Sequence, residues 1–308
     1  MPGKRQVYLL DPQSLKPEVI AVAFAKTSRS PQSFREIAQE LTDEKSAEFH
    51  ERWVVGYGHA SVAEHAVLHI AAENISRLAI ETLESNRLAS YTEKSSRYQK
   101  WNPDEFFIPE ELKDLALLPM YVETCHHLFQ TYQQALPVVR AVIAAQNPRQ
   151  AGETESVWER RIRSDYIDVC RFILPAASLA NVGMTINARA LEHAISKMLS
   201  HPLIEVNQLG NEIKAVAQKE TPTLVKYADE SPFLIESYQV FTSLAQRMVL
   251  KPESNPDWCR LVAFDAQAED RILASALFHF GYSGYAQALA YIQALNSHDK
   301  RRLALNLL

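Results

Sequence analysis

Glycine is scarce in this chain, at 8 of 308 residues, where average usage gives about 22. The deficit excludes collagen-like repeats, glycine-rich linkers and low-complexity disorder. It also argues against Rossmann and P-loop sites, which need clustered glycines so that backbone can approach phosphate. Cysteine is scarcer still. The three cysteines, Cys125, Cys170 and Cys259, are far apart and form no CxxC. Neither a disulfide framework nor a structural zinc site is expected, and a reducing compartment fits best. Positive charge is not in excess either: 32 Lys and Arg face 37 Asp and Glu, a net charge of −5. Such a chain is no evident partner for a nucleic-acid backbone. No apolar run approaches the roughly 18 residues of a membrane span. The opening Met1-Pro2-Gly3-Lys4-Arg5 lacks the apolar core of a signal peptide. The expectation is a cytoplasmic protein with no membrane and no nucleic-acid partner.

What is present is helix-forming. Hydrophobic residues make up 47% of the chain, enough for a sizeable core. A short strand is predicted at Gln6 to Leu10. Helical periodicity runs over Lys16 to Lys26 and Gln32 to Val55, then breaks at Gly56-Tyr57-Gly58. Ser61 to Glu64 has the capping-box pattern for a short helix. His65 to Ala72 fits either a strand or a buried helix, since periodicity does not separate them. Ile75 to Leu83 reads as helix, and Arg87 to Tyr98 as strand with loops. Long helices are predicted from Pro109 to Gln146 and from Val157 to Ile173, the second stopped by Pro175. An extended piece leads to Asn187, followed by helices at Ala188 to Ser200 and Ile204 to Lys219. The remainder reads as helical, apart from a short strand at Leu261 to Phe264 and a linker at Lys251 to Asp257.

Most chemical motifs are weak. Gly56-x-Gly58-x-x-Ser61 lacks the third glycine of a dinucleotide fingerprint and reads better as a turn. His65 and His69 share a face in either a helix or a strand, but in neither HExxH nor HxxEH order, so no metal site is assigned. No GxSxG serine-hydrolase elbow occurs. Cys170 lies in an apolar stretch and reads as a small core residue. The segment Ser85 to Tyr98 stands apart: it gathers arginine, hydroxyls, Glu93 and tyrosine just after an apolar helix. Those groups suit a phosphate or a planar heterocycle.

Several blocks in order resemble the flavin-dependent thymidylate synthases. Gly58-His59-Ala60-Ser61-Val62-Ala63-Glu64-His65 is similar to that family's GHxSxxEH. Ile75-Ser76-Arg77 follows. Then Ser85-Asn86-Arg87, with Ser95 and Arg97-Tyr98, parallels R-H-R-x7-S closed by R-Y. Arg171-Phe172-Ile173-Leu174-Pro175 and Asn187-Ala188-Arg189-Ala190-Leu191 parallel the family's R-x-x-L-P and N-A-R-[SA]-L. The match covers about residues 18 to 220. It implies an α/β (α+β) fold, mostly helical with a small central antiparallel sheet. Residues 1–228 would be the family domain and 229–308 a helical C-terminal extension. The implied activity is reductive methylation of dUMP to dTMP. Methylenetetrahydrofolate would supply the carbon, NADPH the electrons, and FAD would bind at subunit interfaces of a homotetramer. By position, His59, Ser61, Glu64, Asn86, Arg87, Asn187, Arg189 and His193 would hold FAD, with Ser28 a further flavin contact. Glu93, Ser95, Arg97 and Arg171 would face the nucleotide, the first three as the catalytic set. No catalytic cysteine is required. A cofactor held by arginines, hydroxyls and asparagines is compatible with the glycine deficit.

The chain also departs from the pattern. Ser85 and Asn86 replace the first two residues of R-H-R, Thr82 stands where the family has glutamine, and Met198 stands where it has a nucleotide-binding arginine. Loss of two charge-assisted bonds predicts weakened dUMP binding. Two other readings follow. One is a non-catalytic flavin- or nucleotide-binding paralogue, assembled with an intact copy as a hetero-oligomer or as half of a tandem protein. The other is a flavoenzyme acting on a related pyrimidine.

Overall fold

The computed structural model describes residues 12, 14–27, 30, 32–56, 60–98, 101–248, 259, 261–281 and 284–307. The predicted strand at residues 6–10, the linker at 251–257, Ser28, and His59 with Tyr57 and Gly58 lie outside them. The chain forms two compact units, Met1–Arg247 and Met248–Leu308.

A three-stranded antiparallel sheet lies in the first unit. Its strands are β1 (Val67–Ser76), β2 (Ala89–Glu93) and β3 (Leu179–Asn187), in the order β1-β3-β2. The ambiguous segment from His65 is therefore strand from Val67 onward. Its alternation explains why: Leu68, Ile70 and Ala72 are buried, as are Ala180, Val182, Met184 and Ile186 on β3, while His69, Ala71 and Glu73 face outward. A bulge between Ala72 and Ile75 places Asn74 at φ 58°, with its N–H donating to Asn181 Oδ1 at 3.0 Å. The strand thus runs past Ile75, where a helix was expected. Ser76 ends it and caps the next helix, its Oγ accepting from Ala79 N at 3.0 Å.

The helices of this unit are α1 (Pro17–Thr27), α2 (Phe34–Glu40), α3 (Asp43–Phe49), α4 (Arg77–Glu84), α5 (Leu118–Gln146), α6 (Glu155–Cys170), α7 (Ala188–Leu199), α8 (Ile204–Ala217) and α9 (Pro232–Arg247). The single helix expected over 32–55 is instead two short helices and a π-wound segment, His50–Gly56. Ser33 starts the first with a capping box to Glu36, and one internal cap cuts the run, Thr42 accepting from Lys45 N. The helix expected through Ile173 ends at Cys170 and tightens into a 3-10 turn over Arg171–Ile173. Cys125, Phe129, Tyr132 and Leu136 form the buried stripe of α5. Burial pushes the thiols of Cys125 and Cys170 upward, as expected for core residues.

The second unit holds α10 (Ala268–Phe280), α11 (Tyr285–Ala294) and α12 (Ser297–Ala304), around Leu273, Ala274, Ala288 and Ile292. The strand predicted at 261–264 does not form. Leu261, Val262 and Phe264 are exposed and pair with no strand among the described residues. No described helix is long and apolar enough to cross a membrane. The domain boundary expected after residue 228 rests on where the resemblance ends; α9 lies between it and the division at Arg247.

One buried polar pair gives the first unit a pH dependence. His50 is fully buried, and its Nε2–H donates to the Glu18 carbonyl oxygen at 3.0 Å. Its Nδ1 is buried with no partner. Desolvation therefore pulls the imidazole below its ordinary value of 6.5, opposed by the Glu18 bond. Because the folded value is the lower one, the unfolded chain takes up the proton first as pH falls. Stability present above pH 6.5 is then lost on acidification through the folded value. Urea denaturation across that range should show the loss in the wild type. His50→Gln should flatten it, while a slope equal to that of the wild type contradicts the assignment.

Candidate functional site

An open cleft of about 1100 Å³ lies at the junction of β3 with α7. The 3-10 turn Ala60–His65 contributes Glu64, the segment before β2 contributes Asn86 and Arg87, and α7 contributes Arg189, Glu192 and His193. Asn187 ends β3 and caps α7, its Oδ1 accepting from Ala190 N at 2.9 Å. That bond leaves the two amide N–H donors of Asn187 at the positive end of a 12-residue helix. Arg189 is ion-paired with Glu64. Arg87 is exposed and makes no ion pair among the described residues.

Six of the eight residues expected to hold the cofactor therefore line one cleft: Glu64, Asn86, Arg87, Asn187, Arg189 and His193. Ser61 does not. It is an interior residue of the 3-10 turn rather than the start of a capping box, and lines a neighbouring cleft of about 680 Å³ with Phe24, Phe49, Trp53 and His65. Glu64 borders both clefts. His65 lies before the strand, its ring stacked on Phe24 at 4.8 Å. His69 is on β1, its Nδ1 2.9 Å from Thr185 Oγ1. The two histidines thus occupy different elements and do not share a face.

The four residues expected to face the nucleotide lie apart from the cleft lining, in two groups. Arg97 Nε and Arg171 Nε converge on Asp168 Oδ1, at 2.9 and 2.7 Å. Arg171 also donates to Ser96 Oγ at 3.2 Å, and Ser95 Oγ accepts from Arg97 N at 3.3 Å. Two guanidiniums on one carboxylate leave a net positive charge. Glu93 is separate, 2.7 Å from Arg77. Beside it, burial pushes the Glu84 carboxyl upward, with the Glu93 charge adding to the effect.

Met198 is not a ligand position. It is 1% exposed and belongs to the apolar stripe Leu191, Ala194, Ile195 and Met198 of α7. The opposite face carries Arg189, His193 and Lys197 at i, i+4 and i+8. Lys197, which the motif comparison passed over, donates to Asn86 Oδ1 at 3.1 Å and lies 3.4 Å from Ser85 Oγ. The signal that finds it is that four-residue spacing. Asp168, also unanticipated, sits three residues before Arg171.

A helix-flanked antiparallel sheet, with a cleft lined by Arg87, Arg189, Glu64 and Glu192 where a strand passes into a helix, defines an α+β protein. The family described as thymidylate synthase complementing protein matches residues 9–223. The chain belongs to that family. A UPF0159 protein of Chlamydia pneumoniae is 32% identical, over 92% of this chain and 60% of its own length. A flavin-dependent thymidylate synthase of Clostridium tetani is 28% identical, over 70% of this chain and 83% of its own. Among solved structures, a UMP/dUMP methylase, PolB from Streptomyces cacaoi bound with 5-Br dUMP, shares the fold. Its TM-score is 0.50 at 16% identity, covering 68% of this chain and 88% of that one. The chain spans 52% and 60% of the length of the UPF0159 proteins of Chlamydia muridarum and Chlamydia pneumoniae.

Proposed function

We propose that this chain is a flavin-dependent thymidylate synthase-like enzyme that converts dUMP to dTMP. Methylenetetrahydrofolate would be the carbon donor and NADPH the reductant. The observation that carries the reading is the β3–α7 cleft. In a chain of this family, it gathers Arg87, which makes no ion pair among the described residues, the amide donors of Asn187, and the Arg189–Glu64 pair. Its volume of about 1100 Å³ is just above the range of small-molecule sites, which run to about 1,000 Å³, and leaves room for a ligand as large as FAD. Arg87 would bind its phosphates, and Asn187, Arg189, His193, Asn86 and Glu64 would line the rest. His59 and Ser61 would border it. The flavin would supply hydride chemistry at the pyrimidine.

The chain's own residues would bind and polarise the nucleotide. Arg97 and Arg171, held in place by Asp168, suit a nucleotide phosphate or a developing enolate oxygen. Ser95 fixes the backbone at Arg97. Glu93, oriented by Arg77, would accept from the pyrimidine. Homotetrameric or hetero-oligomeric assembly and a cytoplasmic setting belong to the same proposal.

The test is an absorption spectrum of the purified full chain for bound flavin, followed by assay with dUMP, methylenetetrahydrofolate and NADPH. A flavin band and dTMP formation are expected. A flavin-loaded chain that makes no dTMP would instead identify the non-catalytic paralogue.

A further inference from the structure

Most cations around these sites are neutralised. Arg189 is paired with Glu64, Arg97 and Arg171 with Asp168, and Arg77 with Glu93. Arg87 and Lys197 make no ion pair among the described residues, and Asn86 adjoins both. Arg87 follows Asn86 in the chain, and Lys197 reaches it across the cleft edge from the last turn of α7. Lys197 lies within ion-pair distance of no carboxylate among the described residues. The acceptors of its hydrogen bonds, Asn86 Oδ1 and Ser85 Oγ, are neutral oxygens. An ammonium has three donors, so one donor and a whole positive charge are left over. Asn86 is itself fixed, buried with its Nδ2 donating to Leu83 O at 2.8 Å, and Tyr91 Oη donating to its carbonyl at 2.9 Å. Lys197 is therefore held on a rigid support rather than waving in solvent.

We infer that Lys197 and Arg87 form a two-cation phosphate clamp at the Asn86 end of the cleft. Lys197 supplies the charge that the sequence lacks at Ser85 and Met198. The ligand class is a phosphate ester or diphosphate. Glu192, the other carboxylate on the cleft wall, is half-buried and makes no ion pair with Lys197, and burial pushes its pKa upward. That FAD or dUMP brings the phosphate rests on the function proposed above; the clamp itself does not.

The test is Lys197→Met, which keeps the stem and removes the charge, with Lys197→Arg as rescue. Binding to the full chain is measured for inorganic pyrophosphate, FAD, riboflavin, dUMP and deoxyuridine. Lys197→Met should weaken pyrophosphate binding by about tenfold to a hundredfold, and Lys197→Arg should restore most of it. A matching loss for FAD but not riboflavin places the cofactor's phosphates on the clamp. A loss for dUMP but not deoxyuridine places the nucleotide's there. If the wild type binds pyrophosphate through Lys197 but neither FAD nor dUMP, the clamp stands and the enzymatic reading falls. Unchanged pyrophosphate binding in Lys197→Met, no pyrophosphate binding by the wild type, or equal losses for the phosphate-free ligands overturns the clamp.

Discussion

Met198→Arg unfolds the first unit. The Met198 side chain is 1% exposed among Leu191, Ala194 and Ile195, and its Cβ lies 2.9 Å from where a Cβ on Gly210 of α8 would be. That approach allows α7 and α8 to pack closely only because residue 210 has no side chain. A guanidinium there would enter this apolar stripe, so the expected loss exceeds about 4 kcal/mol. Met198→Leu, similar in volume, should cost less than about 1.5 kcal/mol. Urea denaturation followed by circular dichroism checks both. A soluble Met198→Arg chain with an unchanged midpoint would put residue 198 on a ligand-facing surface, as the motif comparison alone suggests.

Arg171→Met should separate nucleotide binding from flavin binding. It removes one of two cations from Asp168 and the bond to Ser96. A charge-assisted bond contributes about 1.5–3 kcal/mol, so dUMP affinity should fall by roughly 10- to 150-fold. FAD affinity should hold, because the residues proposed for it line the β3–α7 cleft and Arg171 does not. Titrating both ligands into the same variant gives the answer. A parallel fall in FAD binding would mean that Arg171 acts by holding the Ser95–Arg97 segment in shape.

Much of the fold is legible in the sequence because its buried faces are regular. The α5 stripe from Cys125 to Leu136 is periodic, and Asn187 is a good N-cap at a strand-to-helix change, whereas the run through Leu68, Ile70 and Ala72 left strand and helix open. Helix breaks were missed where a single side chain intervenes. Thr42 caps a second helix inside an otherwise unbroken periodic run, and the bulge at Asn74 carries β1 on to Ser76. The candidate site was legible as residue types, and six of the residues proposed for the cofactor line one cleft. Which residues neutralise one another was not legible, because Asp168 with Arg97 and Arg189 with Glu64 are tertiary pairs. The family's arginine position is filled by a core methionine here, and a helix presents its residues by face. One step along α7 exchanges the core face for the cleft face, and the cation is at 197.

The central claim is that the β3–α7 cleft holds a flavin dinucleotide through Arg87. Fluorescence titration of FAD into the full chain, wild type and Arg87→Met, tests it most directly. Occupancy of the cleft by FAD predicts saturable quenching by the wild type. It also predicts at least about tenfold weaker binding by Arg87→Met, as expected for loss of a charge-assisted phosphate contact, with no change in denaturation midpoint, since Arg87 is exposed and unpaired among the described residues. Absence of saturable binding by the wild type, or equal affinity in the variant, would contradict it.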